Sequence, residues 1–341
     1  MTLTPDRLHH TTKALNLIDQ YRHKIGDNFR VEPLEVEFPY IHRELSRWLD
    51  PSDVYLVRAD DNEAGTFKVR GALVGAAALQ EQGATKFRLA SAGNHARGSV
   101  VAARELGFAG VHVGVPENAP AQKQAGLYDL WSAPHLNIYP IGQNYDTTME
   151  WMLNHPELGP LLHPYDDPNV IAGQGTLADD ILRERPNVDV LVMPVGGGGL
   201  LAGIRQRLDE LHKYNVITYG IEAPGSNSAS LSKEVGEVRE AALPNLKYGG
   251  SAVRKIGTRA FSIFQAAGDR VRFLSTEENE IEKTMALYQQ SRVDLWRLAT
   301  TLYEPTSLVA IAALEKVIKN HPDKTIAVIG TGHNAPLPQY I

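Results

Sequence analysis

The sequence contains no cysteine among its 341 residues. That absence excludes disulfides, thiolate nucleophiles and cysteine-bound zinc, and it suits a reducing compartment. A basic surplus is also lacking: 34 Lys and Arg stand against 40 Asp and Glu, for a net charge of -6 and a pI near 6.1. With no basic run to neutralise phosphates, a nucleic-acid partner is not expected. No apolar run approaches the length of a membrane span, and the N-terminal MTLTPDRLHHTTK has no apolar core of the signal-peptide kind. A cytoplasmic protein is expected. There is no internal repeat and no low-complexity tract, while 43% hydrophobic residues in a chain of this length can build one large or two ordinary domains.

What is present centres on Glu63-Ala64-Gly65-Thr66-Phe67-Lys68-Val69-Arg70-Gly71-Ala72. A Gly-Thr-Phe turn delivers Lys68 to the start of a small, apolar, helix-prone segment running from Val69 to Gln82. A helix N-terminus and partial desolvation both favour the neutral amine, and a neutral lysine can form a Schiff base with an aldehyde. Taken alone, the same pattern also describes an ordinary solvated lysine. A second stretch adds weight. Strand-like Asp189 to Val195 runs into Gly196-Gly197-Gly198-Gly199 and then into a helix from Leu200 to Lys213, with Leu201, Ile204, Leu208 and Leu211 on one face. Backbone N–H groups of such a loop converge on a phosphate at the positive end of the helix. Four ordered glycines are costly for a mere turn. The third stretch, Ser91-Ala92-Gly93-Asn94-His95-Ala96, sets hydroxyl, amide and N–H donors before a helix from Arg97 to Leu106. It suits a carboxylate or phenolate oxygen, or is simply a capped helix.

Together, GTFKVRGA, SAGNHARG and PVGGGGLLAGI resemble the lysine, asparagine and phosphate loops of the fold-type II pyridoxal 5'-phosphate enzymes. The resemblance is nearest to the threonine and serine dehydratases (ammonia-lyases), and the segment Leu162 to Thr176 (LHPYDDPNVIAGQGT) is similar to the same branch. The motifs run in the family's order from residue 63 to 334. The resemblance implies two three-layer α/β/α domains with mainly parallel twisted sheets, like the tryptophan synthase beta subunit. A small domain would cover 86–163, and 1–85 with 164–341 would form the large one, residues 1–30 being an N-terminal extension. It implies pyridoxal phosphate as cofactor, held by Lys68 and bound through Gly196, Gly197, Gly198, Gly199 and Leu200. Asn94 would reach its phenolic oxygen, Thr331 its ring nitrogen, and Glu304 would line its pocket. Ser91, Ala92 and Gly93, with Asn94 and His95 beside them, would take the substrate carboxylate. His95 itself reads better as a structural partner than as an acid or base. A homodimer is the family-level expectation.

Departures qualify the likeness. Ala92 stands where the family's racemases have a second serine, so elimination is expected rather than racemisation. Glu222 matches the start of the family's cation site, but Ser228 replaces the acid six positions on, which leaves a bound divalent cation in doubt. Gly249-Gly250-Ser251-Ala252-Val253 replaces the usual Asp-Gly-Ile-Ala-Val, and His333 replaces a small residue, pointing to a substrate other than plain threonine. The chain ends soon after the Thr331 loop, so no C-terminal regulatory domain is expected. Asp166 and Asp167 before Pro168 read as turn and cap residues rather than metal ligands. The expected reaction is water elimination from a 3-hydroxy amino acid such as L-threonine or L-serine, giving a 2-oxo acid and ammonia. A replacement synthase is the nearer rival, since Thr331-Gly332-His333 is similar to the loop of threonine synthase. A nicotinamide oxidoreductase is the remoter one, because Gly197 to Ala202 also fits G-x-G-x-x-A with Glu222 ending the next strand.

Overall fold

The computed structural model describes residues 5–47, 53–242, 244–294 and 303–333. The chain divides into two compact units, 1–28 with 61–176 and 29–60 with 177–341. The expected small domain, 86–163, falls wholly inside the first. The sequence also predicts a helix from Ile41 to Leu49 and a last loop from Gly330 to Asn334, and of these Leu49 and Asn334 lie outside the described residues.

The first unit is built on a parallel sheet of three strands in the order β3-β4-β5, namely β3 (Lys86–Ala90), β4 (Gly110–Val115) and β5 (Leu136–Pro140). An isolated parallel bridge joins Arg88 to Leu161. The Lys86-to-Ala90 and Gly110-to-Val115 runs are buried almost throughout, as strands covered on both faces must be. Helices Lys68–Glu81 and Asn94–Leu106 pack side by side and supply Leu73, Val100 and Ala103 to a core shared with Phe87, Leu89, Val111 and Val113. Their closeness depends on Gly98, because a Cβ there would stand 2.8 Å from the Val69 nitrogen and 2.9 Å from the Lys68 carbonyl carbon. The N-terminal helix, Pro5–Tyr21, lays Ala14 and Ile18 into this core. Past its end, Asp27 binds the buried Arg70 at 2.6 Å, tying the N-terminal segment to the lysine helix.

The second unit carries a six-stranded sheet in the order β1-β2-β9-β6-β7-β8. Its strands are β1 (Val31–Pro33), β2 (Val54–Arg58), β6 (Val190–Val195), β7 (Ile217–Glu222), β8 (Val271–Ser275) and β9 (Ile326–Gly330). Only β1 is antiparallel. The continuous apolar run VLVMPV makes β6 a fully buried central strand, and helix Pro305–Ala312 covers it with Leu308, Val309 and Ile311. Since β6 and β9 are parallel neighbours, the loops after them, at Gly196 and Thr331, emerge at the same carboxyl edge, where ligands of open α/β sheets bind. The sequence predicts a long irregular stretch from Ala223 to Ile256, and the structure corrects this. Helix Ser228–Val235 forms there, with a 3-10 turn at Leu246–Ser251. The serine-rich sequence has weak helix propensity, and the helix start is stabilised from outside: the Glu222 carboxylate accepts the N–H of Ala229 at 2.7 Å and of Ser230 at 3.2 Å. The sequence predicts one helix from Thr306 to Lys319, and the structure has two, Pro305–Ala312 and Leu314–Asn320. Helix Thr258–Ala267, with Phe261 and Phe264 buried, was not foreseen from the sequence.

Candidate functional site

In the first unit the Gly-Thr-Phe turn is held by Asn62, whose amide group both donates to Thr66 O and accepts the Thr66 N–H. Lys68 is the first residue of its helix and is half-buried. Its Nζ donates to the carbonyl of Pro164 at 2.9 Å. This contact orients the amine through a backbone carbonyl, which carries no full charge.

Ser91, Ala92 and Gly93 follow β3 and lead to Asn94, the first residue of helix Asn94–Leu106. Ser91 Oγ accepts the Gly93 N–H at 3.1 Å, which closes the loop. All four residues are partly exposed, whereas His95 is buried. His95 Nε2 lies 3.0 Å from Leu162 O and its Nδ1 lies 3.5 Å from Ser99 Oγ. A carbonyl can only accept, so Nε2 carries the proton and the ring is neutral. Burial, with the nearby Lys68 charge, pushes the imidazole down to about 3. His95 therefore braces the 162–164 segment beneath the lysine, through the same backbone that holds Lys68.

In the second unit the phosphate-loop candidates occupy the turn between β6 and helix Gly199–Glu210. Gly198 is left-handed, with φ +87°, at the N-cap, and the first N–H groups of the helix, including that of Leu200, lack intrahelical acceptors. A Cβ on Gly196 would sit 2.1 Å from the carbonyl oxygen of Gly250. This close approach pins the Gly249–Val253 loop against the glycine turn, and Gly250 N–H is in turn held by Thr306 Oγ1 at 3.0 Å. Thr331 is buried with its hydroxyl 3.0 Å from that of Ser307, whose oxygen also accepts the N–H groups of Thr331 and Gly332. Ser307 was not singled out by the sequence. Its place in Glu304-Pro305-Thr306-Ser307 was the available signal. Glu304 is buried at the start of helix Pro305–Ala312, and its N–H donates to Gly332 O at 3.2 Å.

His333 closes this loop with its Nδ1 2.9 Å from Oδ2 of the fully buried Asp60. Asp60 also accepts from Arg58 Nε at 3.2 Å, and Arg58 reaches Glu37 at 2.8 Å. The unusual His333 is thus matched by a carboxylate 273 positions earlier in the chain. Glu222 is buried and its carboxyl is pushed up by burial, against the opposing pull of the Ser230 and Ala229 hydrogen bonds. Ser228 is turned elsewhere, donating to Arg239 O at 2.6 Å and accepting Ile256 N–H at 3.0 Å. Among the described residues no group of three or more His, Cys, Asp or Glu could hold a metal ion, and no helix is long and apolar enough to cross a membrane. Asp167 caps helix Pro168–Glu184, accepting from the N–H of Asn169 and Val170 at 2.8 and 3.0 Å, as its position before Pro168 implied.

A half-buried lysine at a helix start, and a glycine turn that admits no Cβ between a parallel strand and a helix N-terminus, together define a class of protein. The chain matches the pyridoxal-phosphate dependent enzyme family over residues 39–332, and it belongs to that family, in its threonine/serine dehydratase branch. It is 32% identical over 285 residues to an L-threonine ammonia-lyase of Geobacter sulfurreducens, covering 82% of this chain and 67% of that protein. It is 29% identical over 290 residues to a biosynthetic L-threonine dehydratase of Corynebacterium glutamicum, covering 83% and 64%. The chain thus spans about two thirds of the length of these two relatives. The processed form of threonine deaminase isoform 2 from Solanum lycopersicum has the same fold, with a TM-score of 0.81, 23% identity and coverage of 98% and 86%. The residues present fit pyridoxal phosphate: a primary amine for its aldehyde, and a side-chain-free turn at a helix N-terminus for its phosphate.

Proposed function

We propose that this protein eliminates water from a 3-hydroxy amino acid, L-threonine or L-serine being the representative substrates, and releases a 2-oxo acid and ammonia after hydrolysis of the enamine. The observation that carries the reading is the amine of Lys68, oriented by a neutral carbonyl in a chain 32% identical to an L-threonine ammonia-lyase. Lys68 holds the cofactor and, once the substrate amine takes its place, removes the proton from Cα. The bound cofactor supplies an electron sink for the Cα–H bond pair. Gly196 to Gly199 and the Leu200 N–H hold the phosphate, Asn94 the phenolic oxygen, and Ser91, Ala92 and Gly93 the substrate carboxylate. His95 braces the 162–164 segment that receives the Lys68 amine, and Glu304 lines the cofactor pocket.

Thr331 and Ser307 meet the ring nitrogen with hydroxyls. A hydroxyl cannot keep that nitrogen protonated as a carboxylate would, so the sink is moderate, which suits immediate loss of a β substituent. Ala92 offers no base on the opposite face, which favours elimination over racemisation. We place the protein in the cytoplasm as a homodimer, with the 86–163 segment as the small domain. No divalent cation is assigned, because Ser228 brings no carboxylate to Glu222.

The test is spectroscopic and chemical. The purified protein should show a cofactor band that borohydride abolishes, with the label on Lys68, and should release 2-oxo acid from L-threonine or L-serine. Lys68→Ala should lose both. A band with no 2-oxo acid from any 3-hydroxy amino acid would move the enzyme to the replacement branch, and a colourless protein that stays so with added pyridoxal phosphate would refute the reading.

A further inference from the structure

The segment that meets the Lys68 amine is held at several backbone groups. Leu162 N–H donates to Arg88 O at 2.9 Å, which fixes the segment to β3, and Leu162 O accepts from His95 Nε2 at 3.0 Å. Pro164 O then receives the Lys68 amine at 2.9 Å. Beyond it, Asp166 N–H donates to His163 Nδ1 at 2.9 Å, and Tyr165 N–H reaches the same nitrogen at 3.4 Å. A backbone N–H can only donate, so this nitrogen is an acceptor and carries no proton. The arrangement imitates an Asx turn, in which a short polar side chain accepts N–H groups just ahead of it in the chain. Asp167 makes the ordinary version four residues later, on Asn169 and Val170. The Tyr165 ring stands edge-on to the imidazole, centroids 4.8 Å apart and planes at 84°, and packs it in place. Tyr165 N–H and Pro164 O are the two ends of one planar peptide group, so a side chain that holds the first sets the direction of the second. The proline ring already fixes φ on the near side. Rotation of that plane by about 30° would carry the carbonyl oxygen about 1 Å.

We propose that His163 is a positioning residue for Lys68: its unprotonated Nδ1 holds the peptide group that presents the Pro164 carbonyl to the amine. This rests on the reading of Lys68 as the lysine that holds the cofactor. His163 acts through the Pro164–Tyr165 peptide, from the side opposite to His95, which holds the same segment at Leu162. The amine is thereby aimed before an aldehyde reaches it, and an amine whose direction is fixed in advance reacts faster than one that must find it.

The experiment separates aiming of the amine from binding of the phosphate. The full-length protein is freed of cofactor with hydroxylamine, and the cofactor band is followed as pyridoxal 5'-phosphate is added back. Affinity is measured in parallel for 4'-deoxypyridoxine 5'-phosphate, which keeps the phosphate and has no aldehyde. His163→Leu should slow the band at least about tenfold and leave the affinity for the analogue within about twofold. His163→Asn places an acceptor oxygen where Nδ1 stands along the side chain, and should return the rate to within about threefold of wild type. A Leu variant as fast as wild type, or an Asn variant as slow as the Leu variant, would overturn the assignment. Should the Leu variant lose the analogue as well, the Asn variant decides: a near-wild-type rate supports the role and a slow band overturns it. Wild-type protein in which borohydride fixes no cofactor to Lys68 would remove the lysine reading and this role with it. A labelled Lys68 with an indifferent Leu variant removes the role alone.

Discussion

His95 should make the protein acid-sensitive in a calculable way. Its imidazole is buried, held neutral between Leu162 O and Ser99 Oγ, and depressed from 6.5 to about 3. Below pH 6.5 the unfolded chain binds a proton that the folded chain refuses, so stability is lost as the pH falls from 6.5 towards 3. At pH 5.0 the loss is 1.5 units, or about 2 kcal/mol. His95→Gln keeps a donor for Leu162 O but has no proton to take up. At pH 7.5 the variant should be less stable by about 1–3 kcal/mol, from the altered packing and the lost Ser99 contact. Because carboxylates and the other histidines titrate alike in both proteins, the gap between them should narrow by about 2 kcal/mol at pH 5.0. With a urea m-value of about 3 kcal/mol/M, the midpoints should approach one another by roughly 0.7 M. Urea unfolding of both proteins at the two pH values measures this, and an NMR titration of the His95 ring tests the cause. A gap constant to within about 0.5 kcal/mol, or a His95 signal titrating near pH 6.5 in the folded protein, would refute the reasoning.

The glycine turn and the buried ion network give two further expectations. Gly196→Ala places a methyl 2.1 Å from Gly250 O, so the turn or the Gly249–Val253 loop must move by about 1 Å to restore contact distance; cofactor content per chain after dialysis should fall at least tenfold, and unchanged content would mean that this turn holds no phosphate. Asp60→Asn removes the carboxylate shared by Arg58 and His333, leaving the guanidinium with Glu37 and Glu32. Stripping one partner from so buried a pair should cost about 3 kcal/mol in urea unfolding, and a cost below about 0.5 kcal/mol would show that Arg58 is held by the glutamates alone.

The central strand of the larger sheet was legible because a buried parallel strand is written as an unbroken apolar run. VLVMPV became a strand within a residue of the expected bounds. The glycine turn was legible because four ordered glycines between a strand and a helix are entropically costly and call for a reason. Helix Ser228–Val235 was hidden because its start is stabilised by a side chain six positions upstream of its first residue, Glu222, rather than by its own composition. Distance in sequence concealed the site's supports more thoroughly. Nothing local to Lys68 announces Pro164, 96 positions on, and nothing local to His333 announces Asp60. The support of Lys68 is a backbone carbonyl, which no residue type announces, and that of His333 is a carboxylate with no local link to its loop.

The same logic explains why Gly98 was invisible as a site residue although it sits inside a recognised motif. Its contribution is the absence of a side chain against the backbone of Lys68 and Val69, which lets the asparagine-loop helix approach the lysine helix more closely than a Cβ would allow. His95, three residues earlier on the same helix, reaches the Leu162 carbonyl, and two residues after Leu162 the Pro164 carbonyl takes the Lys68 amine. One helix therefore sets both sides of the lysine: the backbone that carries it, by way of Gly98, and the carbonyl that aims it, by way of His95. A disturbance of either residue moves the amine relative to its acceptor, and a displacement near 1 Å at a reacting group is enough to cost about 10²-fold in rate. The asparagine loop is in this sense a mount for the base as much as a surface for the substrate, which is why a motif that reads as ligand binding carries two residues that face its neighbour instead.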